Sequence, residues 1–142
     1  MSKPSDKRIR PSMDKLVAAV NQFDTTAEIE QLRKEEIWLK YGHNSKTLVK
    51  LDDLRMVLML IKAGTQIKEH KAAGSISIQT LIGRLRIHLP EETIELPAGH
   101  VLTLGQEHQH DVEAMEESAL LLTISWPKKE AIEPHYPDLM NH

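Results

Sequence analysis

The chain has no cysteine, so neither a disulfide staple nor a thiolate metal site is available to it. That absence fits a reducing compartment. Aromatic residues make up 4% of the 142 residues, too few to build a stacking platform for sugars or bases. Long apolar runs are missing too: Met56 to Ile61 is the longest, against the roughly 20 residues a membrane span needs. Neither sign of charge dominates, with 18 Lys and Arg against 21 Asp and Glu, so no basic footprint for nucleic acid exists. The N-terminus is basic but lacks the apolar stretch of a secretory signal, which makes cytoplasmic the default reading. No G-x-S-x-G elbow, P-loop, dinucleotide fingerprint or helix-turn-helix with a basic face is present.

What is present changes character along the chain. Residues 1–12 are polar and carry Pro4 and Pro11, as a mobile arm would. Met13, Leu16, Val17 and Val20 repeat at helical spacing. Thr25-x-x-Glu28 has the form of a capping box and predicts a second helix, its apolar face built from Ile29, Leu32, Ile37, Trp38 and Tyr41. Gly42 can take the left-handed conformation that ends it. From Ser45 the pattern turns to strands: Thr47–Lys50, Arg55–Ala63, Ser75–Ile82, Arg84–Leu89, Thr93–Leu96, His100–Leu104 and Ala119–Trp126. Gly64, Gly83, Pro90-Glu91-Glu92, Pro97-Ala98-Gly99 and Glu116-Glu117 punctuate them, which predicts an all-β sandwich or barrel. The division is therefore residues 1–44 as arm and helical extension, 45–126 as the β-barrel, and 127–142 as a polar, proline-bearing tail.

Two stretches carry a family pattern. The first runs from Gly64 to Gly83, G-T-Q-I-K-E-H-K-A-A-G-S-I-S-I-Q-T-L-I-G, and the second from Leu96 to Ala114, L-P-A-G-H-V-L-T-L-G-Q-E-H-Q-H-D-V-E-A. By spacing they resemble the two signature motifs of the cupin superfamily. Gly64, His70 and Gly83 match the first, while Ala72 replaces its second histidine and Ile76 (or Ser75, with a shorter gap) its glutamate. Gly99 and His110 match the second, where Gly105, Glu107 and Ala114 replace the proline, the second glycine and the asparagine. The resemblance covers residues 45–126 and is nearest to small, single-domain bacterial cupins. It implies a double-stranded β-helix, a jelly-roll barrel, with a short α-helical N-terminal extension and commonly a homodimeric state.

The resemblance also implies where chemistry would sit. Metal-binding members bring two histidines, a glutamate and a further histidine together inside the barrel, to hold iron, manganese, nickel or zinc. Of that set this chain retains His70 and His110, and His108 or Gln79 would have to supply a third ligand. Ser75, Ser77 and Gln79 alternate with Ile76 and Ile78, so the three polar side chains share one face of a strand. Two functions follow as expectations. One is a barrel that binds a small polar molecule through His70, Ser75, Ser77, Gln79 and His110. The other is a metal-dependent oxygenase or isomerase built on His70, His108 and His110. Glu69, next to His70, is set aside as facing the other way along an extended strand.

Overall fold

The computed structural model describes residues 19–69, 74–106 and 108–126. The expected arm, the helix seeded by Met13, Leu16 and Val17, His70 and the tail from Pro127 lie outside those residues. Two helices, α1 (Thr25–Lys34) and α2 (Glu36–Tyr41), precede the strands. The strands are β1 (His43–Lys50), β2 (Leu54–Ile61), β3 (Gln66–Glu69), β4 (Ser75–Ile82), β5 (Arg84–His88), β6 (Thr93–Pro97), β7 (Val101–Leu104), β8 (His110–Ala114) and β9 (Ser118–Ser125). They form two antiparallel sheets, one ordered β1-β2-β9-β4-β7 and the other β3-β8-β5-β6. The chain passes repeatedly between the sheets, as in a jelly roll. No helix among the described residues is long and apolar enough to cross a membrane.

The larger sheet is buried on both faces. Its inner face meets the smaller sheet in a core that includes Ile61, Ile76, Ile78, Leu85, Ile87 and Leu120. Its outer face packs Leu48, Leu58, Leu60 and Ala119 under Ile29 and Leu32 of α1. β2 serves both cores at once, because successive side chains of a strand point to opposite faces. Leu58 and Leu60 go outward to the helix, and Met59 and Ile61 go inward. This explains why β2 reads as a continuous apolar run rather than an alternation.

The helical part differs in detail from the sequence expectation. Asp24, not Thr25, is the N-cap: its carboxylate accepts from the Ala27 amide at 3.1 Å. Glu28 is instead paired with Lys46 of β1 at 2.6 Å. The helix also breaks at Glu35, whose backbone is extended, so α1 and α2 are separate. Asn44, buried beside the break, donates from Nδ2 to the Leu32 carbonyl at 3.0 Å and to the Glu35 carboxylate at 2.9 Å. It gives the Leu32 carbonyl a second donor beside the Glu35 amide, which lies 3.3 Å away. Gly42 does end α2 in the left-handed region, at φ 75°.

Two strands went unpredicted, β3 and β8. In β8 the charged Asp111 and Glu113 alternate with the buried His110, Val112 and Ala114, while β3 sets a single apolar residue, Ile67, among Gln66, Lys68 and Glu69. On the outer face of the smaller sheet, Arg86 donates to Glu95 at 2.6 Å, and His88 Nε2 lies 2.8 Å from the Glu113 carboxylate. Such half-exposed pairs contribute about 0–1 kcal/mol each and serve chiefly to keep the face solvated.

Candidate functional site

The site grows from the first residue of β8. His110 is 3% exposed, the single buried histidine among the described residues. Its Nδ1 lies 3.2 Å from the carbonyl oxygen of His108. A carbonyl can only accept, so Nδ1 carries a proton, and in the neutral ring Nε2 is left with the lone pair. The ring borders a pocket of about 250 Å³, counted out to its mouth, between the two sheets. Met59, Ile67, Ile78, Val112, Leu120 and Leu122 supply the rest of its wall. Inside the mouth these side chains leave room for about one water. A larger guest therefore enters by displacing side chains, and Met59, with its three rotatable bonds, is the wall residue best suited to yield.

Strand alternation decides which other groups reach this space. Ile76, Ile78 and Thr80 are buried, whereas Ser75 is exposed and Ser77 and Gln79 are half-buried. The polar set of β4 therefore points off the outer face of the sheet, and the apolar set enters the interior with His110. This corrects the expectation that Ser75, Ser77 and Gln79 line the barrel. The physical reason is burial: two isoleucines on one face outweigh two serines and a glutamine on the other. Thr80 is the one polar inward member, and its hydroxyl is spent on the Leu96 carbonyl at 2.9 Å. Ser118, likewise buried, donates to the Glu116 carbonyl at 2.7 Å and accepts from the Arg84 amide.

His108 is exposed while His110 is buried, so the two rings do not share an environment. It is the main chain of His108, not its side chain, that serves the site. Glu69 ends β3 directly opposite His110 in the antiparallel register, a placement that spacing from His70 alone did not reveal. Among the described residues no group of three His, Cys, Asp or Glu side chains stands where it could hold a metal ion. Ile76, at the position that corresponds to the missing glutamate, packs into the core at 5% exposure. The described interior therefore does not fit a transition metal, which generally needs three protein ligands.

The fold and this interior define a two-sheet jelly roll enclosing a small, largely apolar pocket. No family model matches the sequence, and no curated protein matches it. Solved structures do match. A conserved protein of unknown function from Streptococcus pyogenes aligns at TM-score 0.64 and 22% identity, over 80% of this chain and 93% of that one. A cupin superfamily protein from Desulfitobacterium hafniense aligns at TM-score 0.62 and 16% identity, over 78% and 94%. Salicylate 1,2-dioxygenase from Pseudoaminobacter salicylatoxidans, solved with gentisate, aligns at TM-score 0.69 and 15% identity, over 90% of this chain and 41% of that one. The chain has the fold of the cupin superfamily.

Proposed function

We propose that the protein binds a small molecule between its two sheets, with His110 as the polar anchor. The observation that carries this reading is the setting of the ring: a buried imidazole, its Nδ1 turned to a carbonyl, its lone pair on Nε2, and six apolar side chains around it. Such a wall favours an apolar body bearing one hydrogen-bond donor over the small polar molecule expected from the sequence. As it stands the pocket has room for about one water, so a guest has to be small and enters as the wall side chains move aside. Phenol is a suitable probe, because it joins a small apolar ring to a single hydrogen-bond donor.

Isothermal titration tests the reading. Phenol is expected to bind the wild type, and His110→Phe is expected to weaken it roughly tenfold, the scale of one net hydrogen bond. Benzene, which offers no hydroxyl, should bind both forms alike. Phenol binding that is absent, or indifferent to the substitution, would remove the proposal.

The metal-dependent alternative would draw on His70 with His110, and Nε2 of His110 has the lone pair a metal ligand requires. The described residues supply no third ligand, so no reaction step is derived through a metal.

The same reading extends to a homodimer. Ile37, Leu39 and Tyr41 of α2 are 50%, 75% and 60% exposed. They adjoin β1, which among the described residues is an edge strand of the larger sheet with one side unpaired. Light scattering should give the mass of two chains, and the double substitution Leu39→Glu, Tyr41→Glu should return it to one.

A further inference from the structure

One corner of the interior carries charge that the pocket around His110 does not use. Arg55, Val57 and Met59 follow one another on the inner face of β2, and Met59 lines the pocket. In the β2–β9 register Val57 stands opposite Leu122, another wall residue, and Arg55 opposite Ile124. Arg55 thus lies one step beyond the pocket, on the same face. Across the other edge of β2 its register partner is Lys50 of β1. Two cations directly opposite each other on antiparallel strands repel, and a sheet normally avoids the pairing.

The Arg55 side chain is nonetheless held in place. Its guanidinium carbon lies 5.5 Å from the centre of the Trp126 ring, a cation–π arrangement. Trp126 is fixed in turn by its amide, which donates to the Asp53 carbonyl at 3.1 Å. It also packs against Gly74, where a Cβ would come within 3.1 Å of the indole Cδ1. Despite this support, Arg55 Nε is buried without a hydrogen-bond partner among the described residues. A buried, unsatisfied donor on a positioned cation is costly to keep unless something fills it.

We propose that Arg55, reinforced by Lys50, is the anion-recognising end of the interior, and that the natural ligand is a small carboxylic acid with an apolar body. The inference rests on the reading of the interior as a ligand pocket and names the chemistry at its other end. The planar guanidinium presents a two-donor fork that matches the two oxygens of a carboxylate. The apolar wall around Met59 and Leu122 takes the rest of the molecule, which a bare inorganic anion lacks.

Titration of the full chain with benzoate, phenol and inorganic phosphate separates the possibilities. Benzoate is expected to bind the wild type about tenfold tighter than phenol, through a charge-assisted fork. The advantage should shrink as salt rises. Arg55→Met should abolish that advantage, leave phenol affinity unchanged, and keep or raise the melting temperature, since it removes an unsatisfied donor. Lys50→Met, at an exposed position, should weaken benzoate by several-fold and gives a second readout if Arg55→Met fails to fold. Benzoate no tighter than phenol, or an advantage that survives both substitutions, would overturn the carboxylate assignment while the pocket stands. Phosphate binding as tightly as benzoate would overturn it as well. Loss of phenol binding too would take the pocket reading down with it.

Discussion

Gly83→Ala is expected to destabilise the protein by about 3–4 kcal/mol and lower its melting temperature by about 10 °C. Gly83 alone links β4 of the larger sheet to β5 of the smaller one, at φ 81°. A left-handed backbone costs a residue with a Cβ about 1–2 kcal/mol. Here the added carbon would also run into the Glu117 carbonyl oxygen and the Ser118 hydroxyl. Neither can yield cheaply. Ser118 is fully buried, and its hydroxyl ties the β8–β9 turn to the Arg84 amide at 3.0 Å. Gly99 provides the control: its φ is 89°, yet nothing lies within 4 Å of the Cβ position. Gly99→Ala should therefore pay the backbone cost of about 1–2 kcal/mol and no more. Urea unfolding of the two variants checks the contrast, and equal losses would show that the Ser118 contact does not constrain the corner.

The second large effect concerns Ile76. Ile76→Glu restores the carboxylate that the resemblance to metal-binding cupins would place there. It puts that carboxylate into a core between Ile124 and Leu104, its neighbours in register. An unpaired buried carboxylate costs several kcal/mol, and about 3–5 kcal/mol is expected at pH 7. The penalty has a definite pH signature. Burial raises the folded-state pKa of the new carboxyl above its unfolded value of about 4.3. The charge penalty is therefore complete above the folded pKa, declines as pH falls through it, and is absent below about 4.3, where the group is neutral in both states. Urea unfolding of variant and wild type at pH 7 and pH 4.5 should show the gap between them narrowing on acidification. A gap that stays constant would mean that position 76 is solvated, and the dry interior described here would be wrong.

The glycine corners and most of the strands were legible in the sequence, for a physical reason. Strands such as Arg84–His88 and Ser118–Ser125 are dense in residues that fit a pleated, buried surface, and a glycine at positive φ interrupts them where the chain changes sheet. The strands Q-I-K-E and H-D-V-E-A were not legible, because each presents charge to water and buries few apolar side chains. The helix start shifted by one residue because Asp24 and Thr25 are both competent caps, and only the fold selects between them.

In the candidate site, His110 was found through spacing, and the structure adds its setting. The facing of β4 was misjudged because S-I-S-I-Q-T alternates equally well in either sense. The motif resemblance favoured polar groups inside, while the energetics of burial put isoleucine there. Arg55 gave no signal at all. Its interest comes from register with Lys50 and from Trp126, which lies seventy-one positions along the chain.

The central claim is that His110 presents Nε2 as a hydrogen-bond acceptor to a ligand pocket. Long-range proton–nitrogen correlation spectra of ¹⁵N-labelled protein test it most directly. In the free protein at pH 7.5 the His110 ring is expected as the Nδ1–H tautomer. Addition of phenol should then move its Nε2 resonance together with the methyl signals of Met59, Ile78 and Leu122. A ring carrying its proton on Nε2, or a resonance that does not move at saturating phenol, would contradict the account.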